Sequence, residues 1–185
     1  MIGGLVLAAG EGKRFGGPKQ LAELNGRPLL EHALAAMSGL DRVVVVLGAH
    51  ADEIRARVDF GRADAIVCED WREGQAASLR AGLSALGEVD AVVVTLGDQP
   101  RMTPEVIAFA ISQFDGARPV RATYRGRPGH PVVLPAAMIP DAMEIEGDRG
   151  ARILLEGADV LEVEAGHLAS AADVDTPDDL EVLRR

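Results

Sequence analysis

Four short apolar runs, separated by segments with helical periodicity, constrain the fold of this chain most strongly. Each run has the length of a β-strand, and aliphatic side chains occupy both of its alternating faces. The runs span residues 5–9, 43–47, 65–68 and 91–96. Strands that are apolar on both faces are typical of parallel sheets that helices cover on both sides. The pattern therefore predicts an α/β protein whose mostly parallel, doubly wound sheet lies between two helical layers.

The segments between these runs have the apolar spacing of amphipathic helices. They span residues 28–37, 52–58, 75–86 and 104–114. Pro28 stands at a first-turn position, and Thr103 precedes Pro104 as an expected N-cap. In such a sheet, ligands bind beyond the carboxyl ends of the strands. The residues that directly follow each strand are therefore the candidates for a functional site.

The pattern changes after about residue 116. The predicted elements there are strands at 120–124, 132–134 and 160–163 and helices at 151–156 and 177–183. Residues 125–131 contain two prolines, which argues against a central strand in that stretch. No linker, repeat or charge block divides the sequence. We therefore expect one domain, residues 1–185, whose second half completes the sheet and forms one wall of the cleft.

Charge and cysteine content exclude several classes of function. The chain carries 19 Lys and Arg against 29 Asp and Glu, a formal charge of −10 that repels nucleic acids and anionic membranes. No apolar run approaches the roughly 18 residues that a membrane helix needs. Cys68 is the single cysteine, and the first ten residues lack the basic start of a signal peptide. These features predict a cytoplasmic protein that binds neither nucleic acid nor membrane.

The loop after the first strand is rich in glycine and basic. Residues 10–19 contain four glycines and have a net charge of +2, whereas the rest of the chain has a net charge of −12. Glycines let backbone N–H groups approach a ligand, and cationic side chains neutralise phosphates. The loop therefore predicts a polyphosphate site, with a flexible surface loop as the alternative. The residues concerned are Gly10, Gly12, Lys13, Arg14, Gly16, Gly17 and Lys19.

Two common phosphate-binding loops do not fit this segment. A Walker A loop requires Ser or Thr after Gly-Lys, whereas Arg14 follows Lys13. A dinucleotide fingerprint requires a third glycine one position earlier than Gly16. No acidic residue ends the second strand to bind a ribose. The loop therefore belongs to neither of these two classes.

Two aspartates are candidate metal ligands. Asp98 follows the fourth strand, where a carboxylate could hold Mg²⁺ or could form a turn or cap. Asp175 precedes Thr176 and Pro177, which are expected to start the last helix together with acidic residues of its first turn. Because Asp175 lies just outside that helix, its carboxylate remains available for another role.

Two further segments carry polar side chains that could contact ligands. Gln75 and Ser78 lie at the start of the third helix, whose first N–H groups could meet an anion or a base. A plain amphipathic helix is the alternative for that segment. His130 lies between prolines in a Pro-Gly-His-Pro stretch, where it could contact a ligand or form one local hydrogen bond.

The first loop resembles the signature of the GT-A-like, Rossmann-related nucleotidyltransferases. That signature reads L-x-A-A-G-x-G-x-R-x-G with a lysine shortly after it, and residues 5–16, followed by Lys19, resemble it. The resemblance implies a Rossmann-like fold and a Mg²⁺ ion held by Asp98 and Asp175 against a nucleoside triphosphate. It also implies that Arg14 and Lys19 neutralise the phosphates and act with Asp98 in catalysis. The residues implied to bind the nucleotide are Leu7, Ala8, Ala9, Gly10, Gly12, Arg14, Lys19, Gln75, Ser78 and Gly97.

Segments at 73–83, 128–131 and 147–152 resemble those of the molybdenum cofactor cytidylyltransferases in particular. This resemblance implies transfer of CMP from CTP to a phosphorylated pterin with release of pyrophosphate, His130 contacting the pterin substrate. A molybdoenzyme or its chaperone would then receive the product. A GTP-dependent guanylyltransferase, or a transferase with another small acceptor, is one alternative. A nucleotide-binding accessory protein without turnover, serving a molybdenum hydroxylase, is an alternative from another class.

Overall fold

A seven-stranded sheet forms the centre of the computed structural model, which describes residues 1–170 and 172–184. Positions 171 and 185 of the expected domain lie outside the described residues. The sheet has the order β5-β4-β1-β6-β8-β7-β9, and β2 and β3 form a separate two-stranded hairpin. The strands are β1 (Ile2–Ala8), β2 (Glu23–Leu24), β3 (Arg27–Pro28), β4 (Arg42–Leu47), β5 (Asp64–Val67), β6 (Ala91–Leu96), β7 (Val120–Tyr124), β8 (Arg127–Pro135) and β9 (Leu161–Glu164).

Helices cover both faces of this sheet. The helices are α1 (Leu29–Ala36), α2 (Ala51–Arg57), α3 (Gln75–Leu86), α4 (Pro104–Ser112), α5 (Ile139–Glu144), α6 (Ala151–Leu155) and α7 (Pro177–Leu183). One apolar cluster buries α1, α2 and α4 on one face, and a second buries α3, α5 and α6 on the other. Among the described residues, no helix is long and apolar enough to cross a membrane.

The sequence prediction of a three-layer, mostly parallel α/β fold is confirmed. β1 is an interior strand that pairs in parallel with β4 and β6, and packing on both faces of the sheet buries its side chains. α3 packs closely on this strand at Gly82. A β-carbon at that position would lie 2.3 Å from a methyl of Leu5, so the close approach requires glycine. Thr103 accepts a hydrogen bond from the Val106 N–H at 3.5 Å, as expected of the N-cap of α4.

The main error of the sequence prediction concerns β8. This strand begins at Arg127 and runs through both prolines, whereas the sequence predicted a strand over 132–134 only. β8 lies inside the sheet, but only its residues from Val132 onwards pair with β6. The proline-containing half pairs with β7 alone. A missing proline N–H is tolerated there because no second strand needs it as a donor.

A small third cluster holds the C-terminal segment against the start of the chain. It consists of Leu24, Leu29, Val174 and Leu180, all of them buried. These residues come from the β2–β3 hairpin, α1, the segment before α7 and α7 itself. The packing carries the segment that contains Asp175 to the edge of the sheet where β1 and β6 end.

Candidate functional site

A cleft of about 700 Å³ opens beyond the carboxyl ends of β1 and β6. Ten of the residues predicted to bind nucleotide or metal line it. They are Leu7, Ala8, Ala9, Gly10, Gly12, Lys19, Gln75, Ser78, Gly97 and Asp98. Arg14, Asp175 and His130 are outside this lining, although Arg14 and Asp175 contact its edge as described below.

The first loop is shaped around the carbonyl group of Gly12. This oxygen accepts the N–H groups of Phe15, Gly16 and Gly17 at 2.9–3.3 Å. Gly12 has φ of +71°, and a β-carbon there would lie 2.0 Å from the Gly17 oxygen, so the turn requires glycine. The N–H groups of Gly16 and Gly17 are used by the tight turn itself and are not offered to a ligand.

The other half of the loop keeps its donors available. Among the described residues, no partner accepts the N–H groups of residues 10–13, and all four residues line the cleft. Consecutive N–H groups of this kind form a concave anion-binding surface. Gln20, 2% exposed, fixes the loop by donating Nε2 to the oxygens of Ala8 at 2.7 Å and Gly10 at 2.9 Å. Gln20 was not predicted as part of the site. In the sequence, its position beside apolar residues was the one feature that could have indicated a buried, structural role.

Lys19 joins the two predicted metal ligands. Its ammonium nitrogen lies 2.5 Å from Asp98 Oδ2 and 3.0 Å from Asp175 Oδ1, and the second oxygen of Asp175 lies 3.0 Å from the Arg14 guanidinium. Burial lowers the pKa of Lys19, but the charges and hydrogen bonds of Asp98 and Asp175 outweigh burial and raise that pKa above its usual value. The ammonium is therefore retained at neutral pH. Four side chains from three segments of the sequence thus form one charged cluster.

Hydrogen bonds of the segment before α7 place Asp175 in this cluster. The N–H of Val174 donates to the carbonyl of Asp98 at 3.0 Å, which ties the segment to the end of β6. Thr176 and Asp179 form a reciprocal capping box at the start of α7. Because Asp179 caps the helix, the Asp175 carboxylate is left to bind Lys19 and Arg14. This is the division of roles that the sequence predicted.

The donor set of the cluster fits a hard divalent cation. Asp98 Oδ1 is buried and has no hydrogen-bond partner among the described residues, so one strong oxygen ligand is unused. Asp98 and Asp175 supply two carboxylates, and phosphates and waters commonly complete the coordination of Mg²⁺. Within residues 1–170 and 172–184, no group of three or more His, Cys, Asp or Glu side chains is arranged to hold a metal by protein ligands alone.

The start of α3 differs from the expectation. The N–H of Ala76 donates to the Gly147 carbonyl at 3.0 Å, and that of Ala77 donates to Gly74 at 3.2 Å. These two donors are therefore not available to an anion or a base. The contact shows that the segments around 75 and 147–150, both singled out in the sequence, pack against each other. Gln75 and Ser78 still line the cleft.

His130 lines a second cleft of about 820 Å³. The two clefts share Leu7, Gln75, Leu96 and Asp148 in their walls, so they are adjacent. The Nδ1 atom of His130 lies 3.3 Å from Gln99 Nε2, which also donates to Asp173 Oδ1 at 2.6 Å. Burial lowers the pKa of His130 to about 4, so the ring is neutral at pH 7. Gln99 and Asp173 were not predicted as site residues, because their roles depend on contacts between segments that are distant in sequence.

The sheet, the glycine-rich loop and the charged cluster define a nucleotidyltransferase of the doubly wound α/β type. Comparison with known proteins agrees, because residues 4–165 match the MobA-like NTP transferase domain. The chain belongs to this family of nucleotidyltransferases. Members of the family use a divalent metal, and Rv0371c of Mycobacterium tuberculosis, a structural neighbour, was solved as a complex with manganese.

Relatives of this chain are named as enzymes of more than one reaction class. It is 34% identical to a nicotine blue oxidoreductase of Paenarthrobacter nicotinovorans, over 95% of this chain and 92% of the relative. It is 33% identical to a protein of Pyrococcus horikoshii named "Probable molybdenum cofactor guanylyltransferase", over 78% and 72% of the two chains. Rv0371c superposes with a TM-score of 0.88 at 31% identity, over 98% of this chain and 96% of that one.

Proposed function

We propose that this protein transfers a nucleoside monophosphate, CMP from CTP, to the phosphate of a pterin related to molybdopterin. An oxygen of the acceptor phosphate attacks the α-phosphorus of the nucleotide, a new P–O–P linkage forms, and the bond to the β-phosphate breaks to release pyrophosphate. The observation that carries the proposal is the bridge from Lys19 to Asp98 and Asp175 beside the unbonded N–H groups of residues 10–13. Positioning and charge neutralisation are what this chemistry requires of a protein.

The proposed roles follow from position in the first cleft. The N–H groups of residues 10–13 donate hydrogen bonds to the triphosphate oxygens, and Lys19 and Arg14 neutralise the charge of those oxygens. Position 97 requires glycine, because a β-carbon there would lie only 2.8 Å from the methyl carbon of Ala8. Gln75 and Ser78 supply polar contacts on the opposite wall.

Asp98 and Asp175 are the residues that would hold Mg²⁺. When bound, the ion supplies positive charge to the triphosphate and to the departing pyrophosphate. Lys19 donates hydrogen bonds to the same carboxylates, and we propose that it moves its ammonium group toward the phosphates when a cation takes its place.

The second cleft is proposed to bind the acceptor. Its walls contain His130 together with Arg121, Arg149 and Arg152, whose guanidinium groups suit an acceptor phosphate. Because this cleft is adjacent to the first, an acceptor bound there would lie beside the nucleotide. The assignment of CTP rests on the resemblance of the segments at 97–100 and 128–131 to those of cytidylyltransferases. Transfer of GMP from GTP is the alternative within the family.

A second candidate function is oxidoreduction, favoured by the relative named nicotine blue oxidoreductase. Redox transfer gives no role to the partly buried Lys19 between two carboxylates, and this is why we place oxidoreduction second. An accessory protein that binds nucleotide without turnover is the third candidate.

One set of assays separates these candidates. Pyrophosphate release is measured with ATP, CTP, GTP or UTP in the presence of Mg²⁺ and molybdopterin, and NADPH oxidation is measured in parallel. We expect kcat/KM for CTP to exceed that for GTP by more than tenfold, since a site built for cytosine leaves polar groups unpaired against guanine. Asp98→Asn should lower turnover about a hundredfold or more, equivalent to about 2.7 kcal/mol.

Asp178→Asn is the matched control, because this exposed aspartate in the first turn of α7 lies outside the charged cluster. It should retain the turnover of the unmodified protein, and both variants should keep the same circular dichroism spectrum. A preference for GTP would overturn the CTP assignment alone. Turnover of NADPH without pyrophosphate release would favour the oxidoreductase, and nucleotide binding without either reaction would favour the accessory protein.

A further inference from the structure

The amide of Gln99 links the cluster around Asp98 to the second cleft. Gln99 is 3% exposed, and its Nε2 atom lies 2.6 Å from Asp173 Oδ1 and 3.3 Å from His130 Nδ1. An amide nitrogen has two hydrogens and only donates, whereas a carboxylate only accepts. The short contact with the Asp173 carboxylate therefore requires the nitrogen of the amide to face it. The same nitrogen then presents its other hydrogen toward the histidine ring.

This contact determines which ring nitrogen of His130 carries the proton. A neutral imidazole has one donor nitrogen and one acceptor nitrogen, and the hydrogen bond made by one sets the state of the other. Since Gln99 donates to Nδ1, Nδ1 is the acceptor and Nε2 is the donor. Tyr124 Oη donates to the His130 carbonyl at 2.6 Å and restrains the backbone of the same residue.

The other ring nitrogen of His130, Nε2, has no partner within residues 1–170 and 172–184. None of these described residues makes a hydrogen bond to Nε2, and His130 lines the second cleft together with Arg121 and Arg152. A half-buried N–H donor without a partner is available to an acceptor atom of a ligand. A planar, phosphorylated heterocycle offers ring nitrogens and carbonyl oxygens of that type.

We propose that Gln99 is a positioning residue that fixes His130 in the Nε2–H form, and that this N–H binds an oxygen or ring nitrogen of the acceptor substrate. The second half of the proposal rests on the proposed function, whereas the first half concerns the protein alone. Gln99 thereby couples the segment that carries Asp173 to recognition of the acceptor, without itself contacting the reacting phosphates.

The tautomer is tested by nuclear magnetic resonance on protein with ¹⁵N-labelled histidine at pH 7. Long-range ¹H–¹⁵N correlation distinguishes Nδ1–H from Nε2–H rings, and the His130 signals are those lost in His130→Asn. We expect Nε2–H in the unmodified protein and a mixture of Nε2–H and Nδ1–H rings in Gln99→Met, which lacks the amide donor that makes Nδ1 the acceptor. His32 is the internal control, because its Nε2 faces the Leu24 carbonyl at 2.9 Å and stays protonated in both proteins. An Nδ1–H ring in the unmodified protein, or an unchanged His130 spectrum in Gln99→Met, overturns the positioning role.

The acceptor contact is tested by steady-state kinetics. Gln99→Met should raise the KM for molybdopterin about tenfold and leave the KM for the nucleotide within about twofold, because the lost contact belongs to the acceptor. Gln113→Met, at an exposed position after α4, is the matched control and should change neither KM. An unchanged KM for molybdopterin overturns the acceptor contact. Absence of transfer by the unmodified protein overturns the proposed function and this contact together, while the tautomer measurement still decides the role of Gln99.

Discussion

Lys19 neutralises two carboxylates that a divalent cation would also bind. Its side chain is 15% exposed, and it pairs with Asp98 at 14% and with Asp175 at 33% exposure. At such positions two unit charges about 4 Å apart interact by about 4 kcal/mol at an effective dielectric constant of 20. A metal that binds these carboxylates without nucleotide must therefore compete with the ammonium group.

This competition predicts opposite effects of Lys19→Met on metal binding and on turnover. The variant should bind Mn²⁺ alone at least tenfold more tightly, because the competing charge is removed, yet its kcat/KM for the nucleotide should fall. Titration followed by electron paramagnetic resonance of free Mn²⁺ measures the affinity. Lys13→Met is the matched control, because Lys13 pairs only with Glu11 on the exposed loop among the described residues. Weaker or unchanged Mn²⁺ binding by Lys19→Met would contradict this account.

The sequence predicted some residues of the site better than others. Lys19, Asp98 and Asp175 lie in segments that resemble motifs of the nucleotidyltransferases, so they could be named before any contact was known. Gln99 and Asp173 could not, because their hydrogen bond joins positions 74 residues apart. A buried amide carries no periodic signal, and only the folded chain reveals its partners.

Glu164 connects the end of β9 to the turn between β7 and β8. Its carboxylate accepts the N–H groups of Arg125 at 2.9 Å, Gly126 at 3.1 Å and Gly166 at 3.0 Å. These hydrogen bonds lower the pKa of Glu164 from 4.5 to about 2. A carboxyl group whose pKa is lower in the folded state stabilises the protein above its unfolded pKa, and this contribution is lost as the pH falls toward the folded pKa.

Glu164→Gln should therefore lower the Tm at pH 7, because a neutral amide oxygen accepts these N–H groups more weakly. The difference in Tm from the unmodified protein should shrink as the pH falls from about 4.5 toward 2. Thermal unfolding followed by circular dichroism at pH 7, 5 and 3 gives the comparison. Glu181→Gln removes the charge of a surface pair with Arg184, its one ion pair among the described residues, and should show no such pH dependence. A difference in Tm that stays constant with pH would show that the charge of Glu164 is not what stabilises the turn.

At the scale of elements, strongly periodic segments were predictable and short or irregular ones were not. The helices around residues 28–37, 75–86 and 104–114 and the first four sheet strands agree with the structure to within three residues. The β2–β3 hairpin was missed, although Asn25 and Gly26 both have the positive φ of a two-residue hairpin turn. Its strands have two residues each, too few for an alternating pattern. α5 was also missed, because six residues beginning with Ile139 and Pro140 do not establish a helical period.

The order of strands across the whole molecule was the least predictable feature. Local pattern predicts that strands exist, but the position of β8 between β6 and β7 depends on contacts between distant residues. That position makes the second half of the chain part of the same sheet as the first. The hydrogen bond from Val174 to Asp98 then joins the C-terminal segment to the strand ends. The site depends on this attachment of the C-terminal segment, because the attachment brings Asp175 within 3.0 Å of Lys19.

This connectivity leads us to predict that the chain unfolds as one cooperative unit, as expected for a single domain. Trp71 lies at the cleft in the first half, whereas far-UV circular dichroism reports on helices and strands throughout. In urea the two signals should have the same midpoint. Val174→Ala should lower the free energy of unfolding by about 2 kcal/mol, and with a urea dependence of about 2 kcal/mol per M both midpoints should fall by about 1 M. If Val174→Ala shifts the circular dichroism midpoint but leaves that of Trp71 unchanged, the two halves unfold separately and the single-domain expectation is wrong.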